Sequence, residues 1–159
     1  MTDLHLLVTM MAEFYSESPY TLNPERAADA FRPLLRDDRL GYVWFIQSDS
    51  ADVGYAVVTL CYSMEYGGFA AIVEDLFIQP AFRDLGLGKT AVIEIRNFCA
   101  TRGARAVHVE TGRENARALA VYRHAGFLDT DRVHLTVSLA DPTHAPAPNQ
   151  AGNPVNRAS

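Results

Sequence analysis

The sequence predicts one mixed α/β domain, of the α+β kind, in which a mostly antiparallel sheet is flanked by helices. Two observations support this class. The 159 residues are 48% hydrophobic and 21% charged, which is the composition of a globular domain. Two stretches with helical spacing precede three runs rich in β-branched and aromatic residues, and a helix–strand–helix pattern follows them.

The N-terminal part of the chain predicts two amphipathic helices. Residues 3–16 repeat apolar side chains at helical spacing, which gives one apolar stripe. Asn23 followed by Pro24 is typical of an N-cap with proline at the first helical position, and the second stripe continues to Leu35.

The middle of the chain predicts an antiparallel meander. Residues 42–46, 53–62 and 69–78 are three strand-like runs separated by short polar or glycine-containing turns. Pro80 then prevents further pairing of a central strand, because proline has no backbone N–H to donate.

The remaining elements predict a parallel crossover. Helical spacing from residue 87 to residue 102 leads into a short strand at 104–110, and a second helix covers 114–125. A strand, a helix and a strand in sequence form a right-handed crossover between parallel strands. Residues 127–129 and 133–139 are predicted as the last strands.

Composition also limits the partners and the location. The net charge of −5 opposes binding to nucleic acid. Neither a signal peptide nor an apolar run of membrane-spanning length is visible, so we expect a cytoplasmic protein without a membrane partner. Cys61 and Cys99 lie in apolar runs and are expected in the core. Residues 1–140 are expected to form the domain, and 141–159 a flexible tail.

The glycine loop after residue 80 predicts a site for a phosphorylated ligand. A Walker A loop requires glycine where Arg83 stands, so that reading fails. The dinucleotide fingerprint is met formally by Gly86, Gly88 and Ala91, but it lies too far from the preceding strand. The third reading, R/Q-x-x-G-x-G/A, places small residues and unpaired amides at the start of a helix, where an anion binds well.

Two motifs follow each other in the order and spacing of one family. They are the pattern Glu74–Pro80 with Arg83, Gly86 and Gly88, and the pattern Asn115, Ala118, Tyr122, Gly126 and Phe127. Together they resemble the GNAT superfamily of acetyl-CoA-dependent N-acetyltransferases, and the acidic strand looks most like the small-amine members such as diamine acetyltransferases. The resemblance covers residues 41–139.

The resemblance implies a GNAT fold: a twisted, mostly antiparallel sheet with a central, splayed parallel pair and about four helices. Family members usually begin with a strand, whereas this chain is predicted to enter a helix almost at Met1. Either that strand is absent or the sequence begins after it.

The resemblance also assigns the acetyl-CoA site. Backbone amides of the glycine loop would hold the pyrophosphate, the strand before it would pair with the pantetheine arm, and an asparagine on the later helix would contact the cofactor. The residues assigned to cofactor binding are Phe77, Ile78, Arg83, Leu85, Gly86, Leu87, Gly88, Lys89, Thr90 and Asn115.

Two catalytic roles follow from the resemblance and from the chemistry of amine acetylation. Tyr122 is assigned as the general acid that protonates the leaving thiolate. A carboxylate with a raised pKa suits the general base, and Glu74 is the first choice because it matches the strand glutamate of small-amine members. Asp75 and Glu110 remain alternatives, since a local bulge would change which side chain faces the cleft.

The resulting hypothesis is an enzyme that moves an acetyl group from acetyl-CoA to a primary amine of a small molecule or peptide by direct attack in a ternary complex. The alternative is a non-catalytic acyl-CoA-binding module with the same fold. No metal is expected, because the histidines lack ligand spacing and His108–Glu110 is not followed by the cysteines of a zinc deaminase. A homodimer is an expectation from the family, and residues 13–39 and 62–68 are expected to contact the acceptor.

Overall fold

A computed structural model of the protein describes residues 2–17, 21–137 and 139. Within them the elements follow in this order: α1 (Thr2–Ser16), α2 (Pro24–Leu34), β1 (Gly41–Ser48), β2 (Ala51–Ser63), β3 (Gly68–Ile78), a 3₁₀ turn (Pro80–Phe82), α3 (Leu87–Thr101), β4 (Ala106–Val109) and α4 (Ala116–His124). The predicted mixed class with four helices is confirmed. The expected boundary at residue 140 and the tail at 141–159 lie outside the described residues.

The second helix begins as the sequence predicts. The side chain of Asn23 accepts hydrogen bonds from the backbone N–H groups of Glu25 and Arg26, at 3.0 and 3.1 Å. These bonds satisfy two of the amides that a helix start leaves without partners. Ala27 and Phe31 form the buried face of this helix.

The sheet has the strand order β1-β2-β3-β4. The first two pairings are antiparallel, and β3 and β4 are parallel. The parallel ladder is short, from Ala70 opposite Ala106 to Val73 opposite Val109, whereas β3 continues to Ile78. The predicted splay is therefore present: beyond Val73, the β4 side of β3 has no strand partner among the described residues.

The predictions of strands at 127–129 and 133–139 are wrong for the residues that the structure describes. No regular element is present at 127–137 or at residue 139. The alternation of Val133, Leu135 and Val137 gives strand propensity, but a strand also requires a hydrogen-bonded neighbour, and sequence pattern does not supply one. As a result, the parallel pair lies at an edge of the described sheet rather than at its centre.

Two apolar layers cover the two faces of the sheet. On one face, α1 and α2 bury Leu7, Met10 and Phe31 against Tyr55 and Phe77. On the other face, Ile95 and Cys99 of α3 pack against side chains of β2 and β3; these are Ala56, Val58, Ala71 and Val73. Cys99 is buried as expected, whereas Cys61 is exposed, which corrects its assignment to the core.

A β-bulge interrupts β3 beside the splay. Val57 pairs with Asp75 and the next residue, Val58, pairs with Val73, so Glu74 is an extra residue without a partner in β2. Such a residue reverses which side chains face each side of the sheet. Accordingly, Val73 and Leu76 both pack in the layer that contains α3, although three positions separate them.

No helix among the described residues is long and apolar enough to cross a membrane. The cytoplasmic location stays a prediction.

Candidate active site

The opening between β3 and β4 is bordered by α3 and α4. Leu76, in the unpaired end of β3, packs with Val92 of α3 and with Tyr122 of α4. The C-terminal end of β3, the start of α3 and the buried face of α4 are thus brought together at the opening. The two sequence motifs, although separated along the chain, border the same opening.

The glycine loop presents unpaired amides at the start of α3. Gly86 adopts φ +81°, a left-handed conformation suited to glycine, and its carbonyl accepts the N–H of Thr90 at 3.0 Å. The amides of residues 85–89 donate no backbone hydrogen bond to a described residue. A Cβ on Gly88 would meet only Ile78, at 4.0 Å, so the loop is open. This arrangement fits a phosphate group.

The two basic residues of the loop differ in their surroundings. Arg83 donates from Nε to the carbonyl of Ile78 at 2.8 Å and from Nη2 to Glu17 at 2.5 Å. Its guanidinium also lies 5.7 Å from the centre of the Phe77 ring. Lys89 is exposed and forms no ion pair with a described residue. The Arg83 charge is already paired in this structure, and the Lys89 charge is available.

Tyr122 lies on the buried face of α4 and is 8% exposed. Its ring is 5.5 Å from that of Phe127, and it packs in the cluster that joins α3 and α4. Burial raises the pKa of Tyr122 to about 12, and the negative charge of Asp75 adds to this shift. The phenol is therefore protonated at neutral pH.

Asp75 is the partly buried carboxylate of the site. Its Oδ2 accepts a hydrogen bond from the Tyr55 hydroxyl at 2.9 Å. Burial raises the pKa of Asp75 to about 6; the Tyr55 hydrogen bond opposes this shift, and the charge of Glu74 adds to it. Asp75 is thus mostly ionised at neutral pH and is a stronger base than an ordinary aspartate.

The other two carboxylates considered for the base are exposed. Glu74 is the bulged residue and accepts a hydrogen bond from the Thr59 hydroxyl at 2.6 Å. Glu110 follows β4 and pairs with His134. Both side chains are therefore in contact with solvent, whereas Asp75 is partly buried.

Asn115 is the N-cap of α4. Its side-chain oxygen accepts the N–H of Ala118 at 3.0 Å, so this oxygen is used to begin the helix. The side-chain amide hydrogens carry no bond to a described residue, which leaves the donor end of the carboxamide open to a ligand.

The C-terminal half of α1 contacts the end of β3. Gln79 donates to Glu13 at 3.0 Å, and Glu17 pairs with Arg83. Glu13 and Glu17 lie in the first range expected to contact the acceptor, and these contacts place both beside the site. Three other acidic residues of the expected ranges are paired elsewhere on the surface: Asp37 with Arg39, Asp38 with Arg102 and Glu65 with Arg132.

Sequence reasoning missed Tyr55 and Gln79. Tyr55 is paired with Phe77 across the β2–β3 ladder, and its hydroxyl reaches Asp75. Gln79 directly follows β3 and contacts α1. The pairing of Tyr55 with the acidic strand follows from the hairpin register, but the bulge that shifts this register has no clear sequence signal. Among the described residues, no three His, Cys, Asp or Glu side chains are grouped as a metal site requires.

The raised pKa of Asp75 predicts a stability penalty at neutral pH. Between pH 4 and pH 6 the unfolded chain releases this proton while the folded protein retains it, so the free energy of unfolding falls as the pH rises. Between pH 4 and pH 7, the free energy of unfolding of the wild type should fall by about 2 to 3 kcal/mol more than that of Asp75→Asn. Urea unfolding at four pH values measures this difference.

Glu94→Gln removes one exposed carboxylate from α3 and controls for net charge in that series. A constant difference between wild type and Asp75→Asn across the pH range would contradict the raised pKa.

The chain is similar to known acetyltransferases. Residues 8–127 match the model of the acetyltransferase (GNAT) family. The aminoglycoside N(6')-acetyltransferase type 1 of Salmonella typhimurium strain LT2 is 25% identical over 103 residues, which is 63% of this chain and 70% of that protein.

Solved structures share the fold. An integron cassette protein from the mobile metagenome of Cole Harbour Salt Marsh is 40% identical, with a TM-score of 0.81 over 91% of this chain and 90% of that one. The aminoglycoside acetyltransferase AAC(6')-Iy, solved with the bisubstrate analogue CoA-S-monomethyl-acetylneamine, is 19% identical, with a TM-score of 0.71 over 87% and 93% of the two chains. The family model covers most of the chain and includes both motifs, and the chain belongs to the GNAT family of acetyltransferases.

Proposed function

We propose that this acetyltransferase moves the acetyl group of acetyl-CoA to a primary amine of a small cationic molecule, by direct attack in a ternary complex. The observation that carries the proposal is geometric: Asp75 stands in the part of β3 that β4 leaves unpaired, and Tyr122 of α4 packs in the same cluster as the next residue of that strand, Leu76. Their pKa values, about 6 and about 12, suit a base and an acid.

On the donor side, the amides of residues 85–89 would hold the pyrophosphate, and Lys89 would add positive charge. The β4 side of β3 at Phe77 and Ile78, which lacks a strand partner, would pair with the pantetheine arm as an added strand does; the Ile78 carbonyl accepts from Arg83 in this structure. The amide of Asn115 would donate to the same ligand. Arg83 would contact the phosphates through the N–H groups that its bonds to Ile78 and Glu17 do not use.

The chemistry requires three proton transfers. An amine is protonated near neutral pH, so Asp75, directly or through a water molecule, accepts a proton before the nitrogen attacks the thioester carbonyl. The new C–N bond forms a tetrahedral intermediate, and its collapse breaks the C–S bond. Tyr122 donates its proton to the departing thiolate, and the resulting phenolate takes the second proton from the nitrogen, so that an amide and a thiol leave.

We assign the base to Asp75 rather than to Glu74, the residue favoured by sequence. Asp75 has the partly buried position and the raised pKa that the role needs, whereas Glu74 is exposed on the bulge. Glu74 remains the residue to test against it.

The acceptor class is supported by charge and by relatives. Glu13 and Glu17 lie beside the end of β3, and Asp75 adds a third carboxylate there. Such a group favours a molecule with several amines over an anionic substrate. The curated relative named above is an aminoglycoside acetyltransferase, and aminoglycosides carry amines of this kind.

The acceptor is identified by measuring release of the CoA thiol with a panel of aminoglycosides, polyamines, amino acids and peptides. We expect turnover with a polycationic small amine and little turnover with acidic acceptors. If acetyl-CoA binds and no member of the panel is acetylated, the result contradicts the catalytic proposal and favours the alternative, a non-catalytic acyl-CoA-binding module.

Tyr122→Phe tests the general acid. The substitution keeps the ring in its cluster with Phe127 and removes only the hydroxyl, so we expect kcat to fall by about 10²-fold or more while the affinity for acetyl-CoA changes little. Tyr42→Phe removes a hydroxyl from a tyrosine of β1 that packs on Trp44 and Phe98, outside the ranges expected to contact the acceptor, and should behave as wild type. Equal losses in kcat and in cofactor affinity would contradict the acid role.

Asp75→Asn and Glu74→Gln together test the base. The wild-type rate should rise with pH through about 6, as Asp75 loses its proton, and level off above that value. We expect Asp75→Asn to lower kcat/KM by about 10²-fold and to abolish the rise of the rate with pH. Glu74→Gln should keep the wild-type kcat/KM and the wild-type pH dependence. The reverse result would return the base to Glu74.

A further inference from the structure

A groove of about 370 Å³ runs between strand β1 and helix α3. Its volume falls in the range of sites that bind small molecules. The walls are mostly apolar, with Trp44 and Ile46 on the β1 side and Leu87, Ile95 and Phe98 on the α3 side. An apolar lining with a few polar groups is the usual composition of a small-molecule site. We call this feature the β1–α3 groove.

The groove is separate from the opening between β3 and β4. The outer strands of the described sheet are β1 and β4, so β2 and β3 lie between the groove and β4. Trp44 and Ile46 pack in the layer that contains α3, whereas Tyr55, which bonds to Asp75, packs in the layer on the opposite face. The lining of the groove includes neither Asp75 nor Tyr122. A molecule bound there would therefore not occupy the place of the acetyl acceptor.

The aromatic side chains of the groove are held by their neighbours. The rings of Trp44 and Phe98 meet edge to face, with centroids 5.2 Å apart, and Tyr42 packs on both at 5.7 and 4.8 Å. Contacts of this geometry stabilise aromatic pairs. The guanidinium of Arg102 lies 5.1 Å from the centre of the Phe98 ring. The aromatic wall is thus already formed, and one of its rings already contacts a cation.

The rim of the groove carries negative charge. Glu94 of α3 lines the groove, is exposed and forms no hydrogen bond or ion pair with a described residue. Gln47 also lines it and donates to the carboxylate of Asp52 at 2.9 Å. No described lysine, arginine or histidine belongs to the lining. The groove therefore favours a cation over an anion.

The groove reaches the start of α3. Leu87 and Thr90 line it, and both belong to the first turn of the helix after the glycine loop. The N–H of Thr90 donates to the carbonyl of Gly86 at 3.0 Å. An occupant of the groove would thus contact the helical turn that begins at the glycine loop.

We propose that the β1–α3 groove binds a small organic cation, with an aromatic or branched apolar body and one ammonium group, at a site separate from the acetyl acceptor. The apolar body packs against Trp44, Ile46 and Phe98, and the ammonium lies beside Glu94. The aromatic wall favours a cation over a neutral molecule of the same shape. The unpaired carboxylate disfavours an anion. This inference does not depend on the proposed acetyl transfer, because it concerns binding alone.

Trp44 is the only tryptophan of the chain, so its fluorescence reports directly on the groove. The ligand tested is benzyltrimethylammonium, which has no N–H to acetylate, and benzyl alcohol is its neutral counterpart. Titration of the full chain with benzyltrimethylammonium should give a saturable change in Trp44 emission, and benzyl alcohol should bind about tenfold more weakly. Equal affinity for the two molecules, or no saturable change with the cation, would overturn the proposal.

Two alanines of α3 provide matched variants that test the location. Ala91 lines the groove, whereas Ala100 is exposed outside its lining. Ala91→Leu places a larger side chain in the groove and should raise the dissociation constant of benzyltrimethylammonium by about tenfold or more. Ala100→Leu makes the same change of residue elsewhere on the helix and should leave that constant unchanged. If Ala91→Leu binds the cation as the wild type does, the ligand lies elsewhere and the proposal is wrong.

Glu94→Gln tests the charge. The substitution should raise the dissociation constant of benzyltrimethylammonium by about threefold to fivefold, the range expected for one exposed ion pair. Asp131→Asn removes one exposed carboxylate outside the lining and should not change it. Equal effects of these two substitutions would contradict the role of Glu94.

CoA separates the groove from the active site. With saturating CoA present, the protein should still bind benzyltrimethylammonium and still show the change in Trp44 emission. Competitive displacement of the cation by CoA would place it in the cofactor site and overturn the proposal.

Discussion

The site depends on one extra residue in β3. Because Glu74 has no partner in β2, the strand reverses its facing between Val73 and Asp75, and Asp75 comes to lie beside the Tyr55 hydroxyl. The pairing with β4 ends at the same point, since the last parallel pair is Val73 with Val109. The bulge at Glu74 thus coincides with the end of the β3–β4 ladder. The part of β3 that follows has no partner on its β4 side, and it carries Asp75.

Burial gives Asp75 and Tyr122 pKa values that lie on opposite sides of neutral pH. The same desolvation raises the pKa of a carboxyl and of a phenol, but from different starting values, so Asp75 becomes a stronger base while Tyr122 stays a proton donor at neutral pH. Their proximity strengthens this separation for Tyr122, because the nearby negative charge opposes formation of a phenolate. The apolar layers of the sheet therefore determine the chemistry of the site as well as its stability.

Sequence patterns predicted the elements better than their pairing. The Asn23 cap, the meander and the glycine loop depend on local propensity and spacing, and they appear as predicted. The choice between Glu74 and Asp75 as base could not be made from sequence, since the bulge at Glu74 depends on tertiary pairing that alternation does not encode. The described residues around Leu135 have a strand pattern but form no strand, because a ladder requires a hydrogen-bonded neighbour that the alternation of side chains does not specify.

Arg83 links the two halves of the site through a single ion pair. It bonds to Glu17 of α1, on the side where acidic residues gather, and stands in the loop that leads into α3. In the proposed complex, an anion that draws the guanidinium away from Glu17 frees the carboxylate, and a cation that binds the carboxylate frees the guanidinium. If both exchanges break this ion pair, binding of either ligand favours binding of the other by an equal factor. In that case the ion pair couples binding of the proposed donor to binding of the proposed acceptor.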